Sequence, residues 1–284
     1  MEKGHFKISI ADTIDQTVEW ITINFSSIFD RFSLLIDNCI NLIIYVLTLI
    51  NPIVLIIILS IIAYILVSVY MSIFTLIGFS IILNLGYWLP MIETFSLVFV
   101  SVIISILLGI PIGIISAQHK QLSKFTLPIL DFMQTMPAFV YLIPAIFFFS
   151  IGVVPGIVAS IIFSLPSIIK LTILGIKQVP KEIIEVGHSF GTKTHQLLFK
   201  IQIPLAMPTI MAGINQCIML SLSMVVIASM VGAPGLGAEV YRAVTQIEIG
   251  KGFEAGIVIV ILAIFLDRIT QKLSIIKWKD GGRL

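Results

Sequence analysis

One polar stretch of this chain has the residue types and spacing to work on another protein. Between Lys177 and Lys200 it reads Lys181-Glu-Ile-Ile-Glu-Val-Gly-His-Ser-Phe-Gly191, then a second run, and Ile201-Gln-Ile-Pro204 comes after it. Pro180 favours a helix start, and Glu182 and Glu185 fall in the first turns, where the helix dipole favours acid. Gly191 can adopt the left-handed conformation that stops a helix, and Pro204 bends the chain into the next span. Gly187, inside the run, weakens the helix by up to about 1 kcal/mol. The chemistry on offer is mechanical. A short exposed helix held at both ends can carry force, and Glu185 can make a charge-assisted contact with a basic group of a partner.

Other candidates sit in apolar surroundings. Asp131 and Gln134 are functional candidates because an ionisable residue at membrane depth is costly, although a position one turn deep would leave Asp131 merely hydrated. Asn215 and Gln216 can line a pathway and hydrogen-bond a carboxylate, or else hold helices together. Gly232, Gly235 and Gly237 allow a tight turn with close backbone approach, so they are candidates for a gate; an ordinary helix-ending loop is the alternative. If the turn is a gate, Gly235→Val should impair function and leave assembly intact. Phe139, Tyr141, Phe147, Phe148 and Phe149 offer cation–π faces, but at this density core or lipid contact is the plainer reading. Glu239, Arg242, Glu248 and Glu254 can greet a partner or be ordinary loop charges. His188 and His195 lack metal-ligand neighbours. Cys39 and Cys217 suggest neither a disulfide framework nor a metal site. There is no Walker A motif. The chain is therefore read as no enzyme, with no metal and no cofactor of its own.

The elements that position these residues must lie in a membrane. The chain has 284 residues, 58% hydrophobic and 11% charged, whereas soluble domains carry about 25% charge. No Asp, Glu, Lys or Arg occurs from Asn38 to Ile92, from Phe132 to Ile169, or from Ile201 to Ala238. A crossing needs about 20 apolar residues. The expected fold is an all-α bundle of about seven spans: Pro52–Val69, Ser72–Leu89, Glu93–Ala117, a hairpin of two broken at Gly152 and Pro155-Gly156, Pro208–Val231, and Gly252–Leu266. Gly109, Pro111 and Gly113 should loosen the end of the third.

Residues 1–51 are expected to be an amphipathic and interfacial segment. Ile14, Val18, Ile21, Phe25, Ile28, Phe32 and Leu35 line one helical face, with Asp12 or Thr13 as cap. Asn41 to Ile50 is too short to cross and reads as interfacial or re-entrant. Residues 52–271 then form the membrane domain with the loop 177–204, and 272–284 a tail. Met1 to Ile10 is polar, so no cleavable signal is expected.

Orientation is set by basic residues, which favour the cytoplasm. With the N-terminus outside, Lys120, Lys124, Lys170, Lys177, Lys181, Lys193, Lys200, Arg268, Lys272, Lys277, Lys279 and Arg283 are inside. Lys3, Lys7, Arg31, Arg242 and Lys251 are outside.

The spacing Glu185-Val-Gly, three residues, Gly191, nine residues, Ile201-Gln-Ile203-Pro204 resembles the cytoplasmic-loop signature of binding-protein-dependent ABC importer permeases. Val186, Gly187 and Ile203 depart from its usual two alanines and leucine. Asp131 to Pro144, Pro204 to Gln216, Leu222 to Met230 and Gly232 to Gly237 look like the permeases of glycine betaine/proline betaine importers, with Pro234 where a glycine is usual. The resemblance implies a type I importer permease in the cell membrane. It also implies a homodimer, a separate ATP-binding ABC subunit docked on residues 181–191, an external substrate-binding protein, and no nucleic-acid partner. Glu182, Glu185, Gly187, Gly191, Ile201 and Pro204 would be the coupling residues. A secondary transporter would show midplane charge relays and internal repeats, and no repeat is visible. Co-purification with an ATPase would separate these classes.

Overall fold

The computed structural model describes residues 10–281, and side chains from 12 to 272. Lys3, Lys7 and Arg283, and the side chains of Lys277 and Lys279, lie outside the described residues. Within them the chain is helical, and no strand occurs.

The first element differs from expectation. Helix α1 (Ile10–Leu49) is a single run of 40 residues, about 60 Å at 1.5 Å per residue. It is already helical ahead of Asp12 and Thr13, and Asn41 to Leu49 continues it instead of forming a separate re-entrant piece. It is long and apolar enough to be a candidate crossing. Nothing between Asn38 and Asn41 breaks a helix, because asparagine lowers propensity by less than about 1 kcal/mol. Its buried face also departs from the expected stripe. Ile36 and Ile40 are buried against Leu97, Val100, Val154 and Ile157, whereas Leu35 points away.

Asn51 caps α2 (Pro52–Leu66) by accepting from the Ile53 N–H at 3.0 Å, and Ser68 caps α3 (Val69–Asn84). These two expected spans are helices of 15 and 16 residues, each short of the ~30 Å hydrocarbon core by the helical rise. They pack on each other. Helix α4 (Trp88–Gln118) runs unbroken through Pro111. Gly109 and Gly113 do not loosen its end. They let α4 approach α7 (Val153–Lys177), since a Cβ there would lie 2.8 Å from Ile168 or 2.6 Å from Thr172.

The Phe132–Ile169 desert also folds differently from two straight spans. Helices α5 (Lys120–Thr135) and α6 (Ala138–Phe149) form one broken element bent by 96° at Met136-Pro137. Proline lacks an N–H and disfavours α geometry in the residue before it. The turn sits at Ser150–Gly152, while Pro155 lies inside the first turn of α7, where no intrahelical donor is lost. Lys170, expected on the cytoplasmic side, is accordingly inside α7.

Helix α8 (Lys181–Ser189) comes next. Helix α9 (Thr194–Leu197) then passes through a π turn (Leu198–Gln202) into α10 (Ile203–Ser229). Pro204 and Pro208 cannot donate, and a π turn is one way a helix absorbs such a gap. The result is a nearly continuous 36-residue rod, Thr194–Ser229, instead of a sharp bend at Pro204. After a glycine-rich turn come α11 (Leu236–Gln246) and α12 (Ile249–Gly281). Among the described residues, five helices are long and apolar enough to cross a membrane, six counting the bent pair. The total is close to the expected seven: α2 and α3 fall short of spanning length, and α1, not expected to cross, is added. The core is α7 packed on α10 and α4, with α12 closing one side through Val258, Leu262 and Phe265.

Candidate functional site

The predicted residues fall at the two ends of the bundle and at contacts between helices within it. At one end α8 is exposed along most of its length. Its helix begins after Pro180, in extended geometry, and stops at Phe190. Gly191 has φ +71°, the left-handed stop expected of it, and a Cβ added there would meet nothing within 4 Å. Gly187 has a reason that propensity does not show. It is buried, and a Cβ would lie 2.5 Å from Leu197 Cδ1 and 3.4 Å from Ile201 Cδ1. The glycine lets α8 lie against the start of the 194–229 rod. Ile201 thus packs under α8, while Pro204 begins α10. Glu182 and Glu185 are exposed. Sequence reasoning missed their apolar neighbours: Val186 is 55% and Phe190 85% exposed. An exposed phenylalanine beside two carboxylates offers a partner both apolar area and charge. The residue types alone could have signalled this, because Val186 and Phe190 stand four positions apart and so share one face of a short polar helix.

Deeper in the bundle, Asp131 and Gln134 meet on α5. The Lys170 ammonium donates to Asp131 Oδ1 at 2.6 Å and to Gln134 Oε1. Gln134 Nε2 reaches Ser167 Oγ at 3.4 Å, and Lys177 Nζ donates to Ser123 Oγ at 2.7 Å. These contacts tie α5 to α7 beside the apolar packing of Leu130 on Ile169 and Ile173. Lys170 was not foreseen as a member of this group, because the sequence only counted it among the cytoplasmic basic residues and its place beside Asp131 depends on how α5 packs on α7.

Asn215 Nδ2 donates to Asp267 Oδ1 at 2.6 Å, which also accepts from Gln271. This contact ties α10 to α12, one of the two roles open to Asn215. Gln216 is exposed and does not join it.

At the opposite end, the 232–237 turn is locked against α4. Gly232 and Gly235 have φ +99° and +106°. The Leu236 N–H donates to Thr94 Oγ1 at 2.8 Å, and both residues are fully buried. A Cβ on Gly235 would lie 2.5 Å from Thr94 Oγ1, and one on Gly237 only 2.3 Å from the Val225 carbonyl oxygen. The Gly152 N–H donates to Val231 O at 2.9 Å, joining the α6–α7 turn to the same place. Gly235→Val therefore disturbs packing as well as any gate. Thr94, the hydroxyl that holds this turn, has no local sequence signal; its partner is 142 residues away. Nearby charges pair locally, Arg242 with Glu239 within α11 at 3.1 Å, and Lys251 in the first turn of α12 with Glu248 just before it at 2.9 Å. Burial first, then the carboxylates of Glu254 and Glu239, raise the Tyr87 phenol above its ordinary value.

Residues 109–274 match the family model described as binding-protein-dependent transport system inner membrane component. The chain is 56% identical over 276 residues to the glycine betaine transport system permease protein OpuAB of Bacillus subtilis, covering 97% of this chain and 98% of the relative. It is 46% identical over 268 residues to the glycine betaine/carnitine transport permease protein GbuB of Listeria monocytogenes, with 93% and 95% covered. Among solved structures, an inward-facing MetNI methionine ABC transporter chain matches with a TM-score of 0.57 at 21% identity, over 67% of this chain and 94% of that one. The matched segment holds α8 and the helices on both sides of it, and the bundle shares the fold of that importer. This multi-pass membrane protein belongs to the binding-protein-dependent transport system inner membrane component family.

Proposed function

We propose that this chain forms the translocation pathway of an ATP-driven importer for glycine betaine or a related quaternary-ammonium osmoprotectant. The observation that carries the reading is 56% identity with a glycine betaine permease over nearly the whole of both chains, joined to an exposed α8 of the right shape for an ATPase contact. In this reading two copies pair around the pathway, ATP is hydrolysed on a separate subunit docked on α8, and an external binding protein supplies cargo. The permease itself hydrolyses nothing. Closure of the ATPase subunits moves α8, and the continuous 194–229 rod carries that motion through the membrane as a rigid-body switch.

The test is reconstitution in liposomes with candidate ATPase and binding-protein partners. ATP-dependent uptake of glycine betaine is expected. Uptake of an oligopeptide with none of betaine overturns the cargo.

The same reading puts α8 in the cytoplasm and the N-terminus outside, because that side then holds most of the lysines and arginines. Cysteines placed by Ser9→Cys and Ser274→Cys should react differently with an impermeant reagent on intact cells. Labelling at 274 with protection at 9 would reverse the map.

A further inference from the structure

The two charges that bound the Phe132–Ile169 desert, Asp131 and Lys170, are bonded to each other at 2.6 Å. The chain leaves and returns to one level of the bundle. That level is deep: at 1.5 Å per residue, Lys170 lies about 10 Å along α7 from Lys177, and Asp131 about 16 Å along α5 from Lys120. Yet the Asp131 side chain is 66% exposed and that of Lys170 27%. A carboxylate so exposed at that depth does not face hydrocarbon. Its open side marks the face turned to water or to a second copy. It also sits just before the 96° break between α5 and α6, and discontinuous helices are where transporters build sites at membrane depth.

We propose that Asp131, Lys170 and Gln134 form a transit subsite that reads the cargo as a zwitterion. The ammonium of Lys170 and the amide of Gln134 take the cargo carboxylate, and Asp131 takes its cationic end. This rests on the betaine reading above. An inner salt can replace each partner of an ion pair and leave no charge uncompensated; a net cation or a net anion cannot. A quaternary nitrogen has no hydrogen to donate, so Asp131 exchanges a hydrogen bond for charge attraction alone. Holding is therefore weak, as a transit site requires, and the Lys170–Asp131 bond re-forms behind the departing cargo.

The test uses the full complex of permease, ATPase and binding protein in liposomes, and the permease–ATPase complex in detergent for saturation-transfer NMR with glycine betaine. Wild-type uptake of betaine comes first; its absence removes the cargo reading and this subsite together. Given that uptake, Lys170→Met and Asp131→Asn should each lower it about tenfold or more, the worth of one charge-assisted bond. Both should also abolish saturation transfer to the cargo methyl protons, with melting temperature and subunit association kept. Lys170→Arg, which keeps charge and donors, should retain the transfer signal. If uptake falls but the signal persists in both variants, the pair is only a brace between α5 and α7 and the subsite is wrong, while the cargo reading stands. Unchanged uptake in either variant has the same consequence.

Discussion

Gly237→Val should prevent the bundle from closing at the 232–237 turn, the largest stability loss expected of any single change described. A Cβ at that position would lie 2.3 Å from the Val225 carbonyl oxygen and 2.6 Å from its carbon. Those are backbone atoms of α10, so no side-chain rotation relieves them. Overpacking a core usually costs about 1–3 kcal/mol, occasionally more, and a backbone clash belongs at the upper end. The Leu236–Thr94 hydrogen bond sits one residue away and would be lost with the displacement. Gly256→Ala is the matched control: it lies on α12 with nothing within 4 Å of its Cβ, so about 0.5 kcal/mol or less is expected. Melting of the purified protein in detergent, together with its yield in the membrane fraction, reads both. Equal melting temperatures for the two variants would mean that the turn does not hold this approach. Gly235→Val should also destabilise more than the control, because its Cβ would lie 2.5 Å from the Thr94 hydroxyl and 3.1–3.2 Å from backbone atoms of Thr94 and Pro90, and φ +106° disfavours any side chain.

The second large effect belongs to α8. Glu185→Ala should weaken docking of the ATPase about tenfold or more, if its exposed carboxylate makes one charge-assisted bond worth about 1.5–3 kcal/mol. Gly191→Val should lower transport further. No atom blocks its Cβ, so the cost is backbone alone: holding a residue other than glycine at φ +71° costs about 1–2 kcal/mol, or else the turn rearranges and α8 is re-aimed. Neither change touches a spanning helix, and membrane insertion should be normal. Co-purification with the ATPase subunit and uptake in liposomes are the measurements. Wild-type association and uptake in the Glu185→Ala, Gly191→Val double variant would show that the loop merely connects two helices.

These two cases differ in how far the residues themselves announce them. For α8, the start after Pro180, the acid in the first turns and the left-handed Gly191 are all readable locally, because each depends on neighbours within about four positions. The reason for Gly187 is not readable, since it lies in the distance to Leu197 across a turn. The gate-like turn was visible as three glycines, but not its anchor. Thr94 lies on another helix, and no period or propensity links it to Leu236. Likewise the charge deserts announced membrane helices, while their division into elements failed at α1 and at α5–α6. Hydropathy reports that a segment avoids water; it does not report whether a helix continues or bends within it.

The sequence by itself determined that the chain crosses a membrane, that it is helical, and that one short polar helix with its glycine stop stands out of the apolar pattern. Those properties rest on composition and on spacings of one helical turn. Only the tertiary structure decided that Asp131 meets Lys170, that Asn215 meets Asp267, and that Gly237 lies against Val225. Each of these is a distance between helices. Packing angle and depth set such distances, and both emerge only when all the apolar faces compete for one another and for lipid.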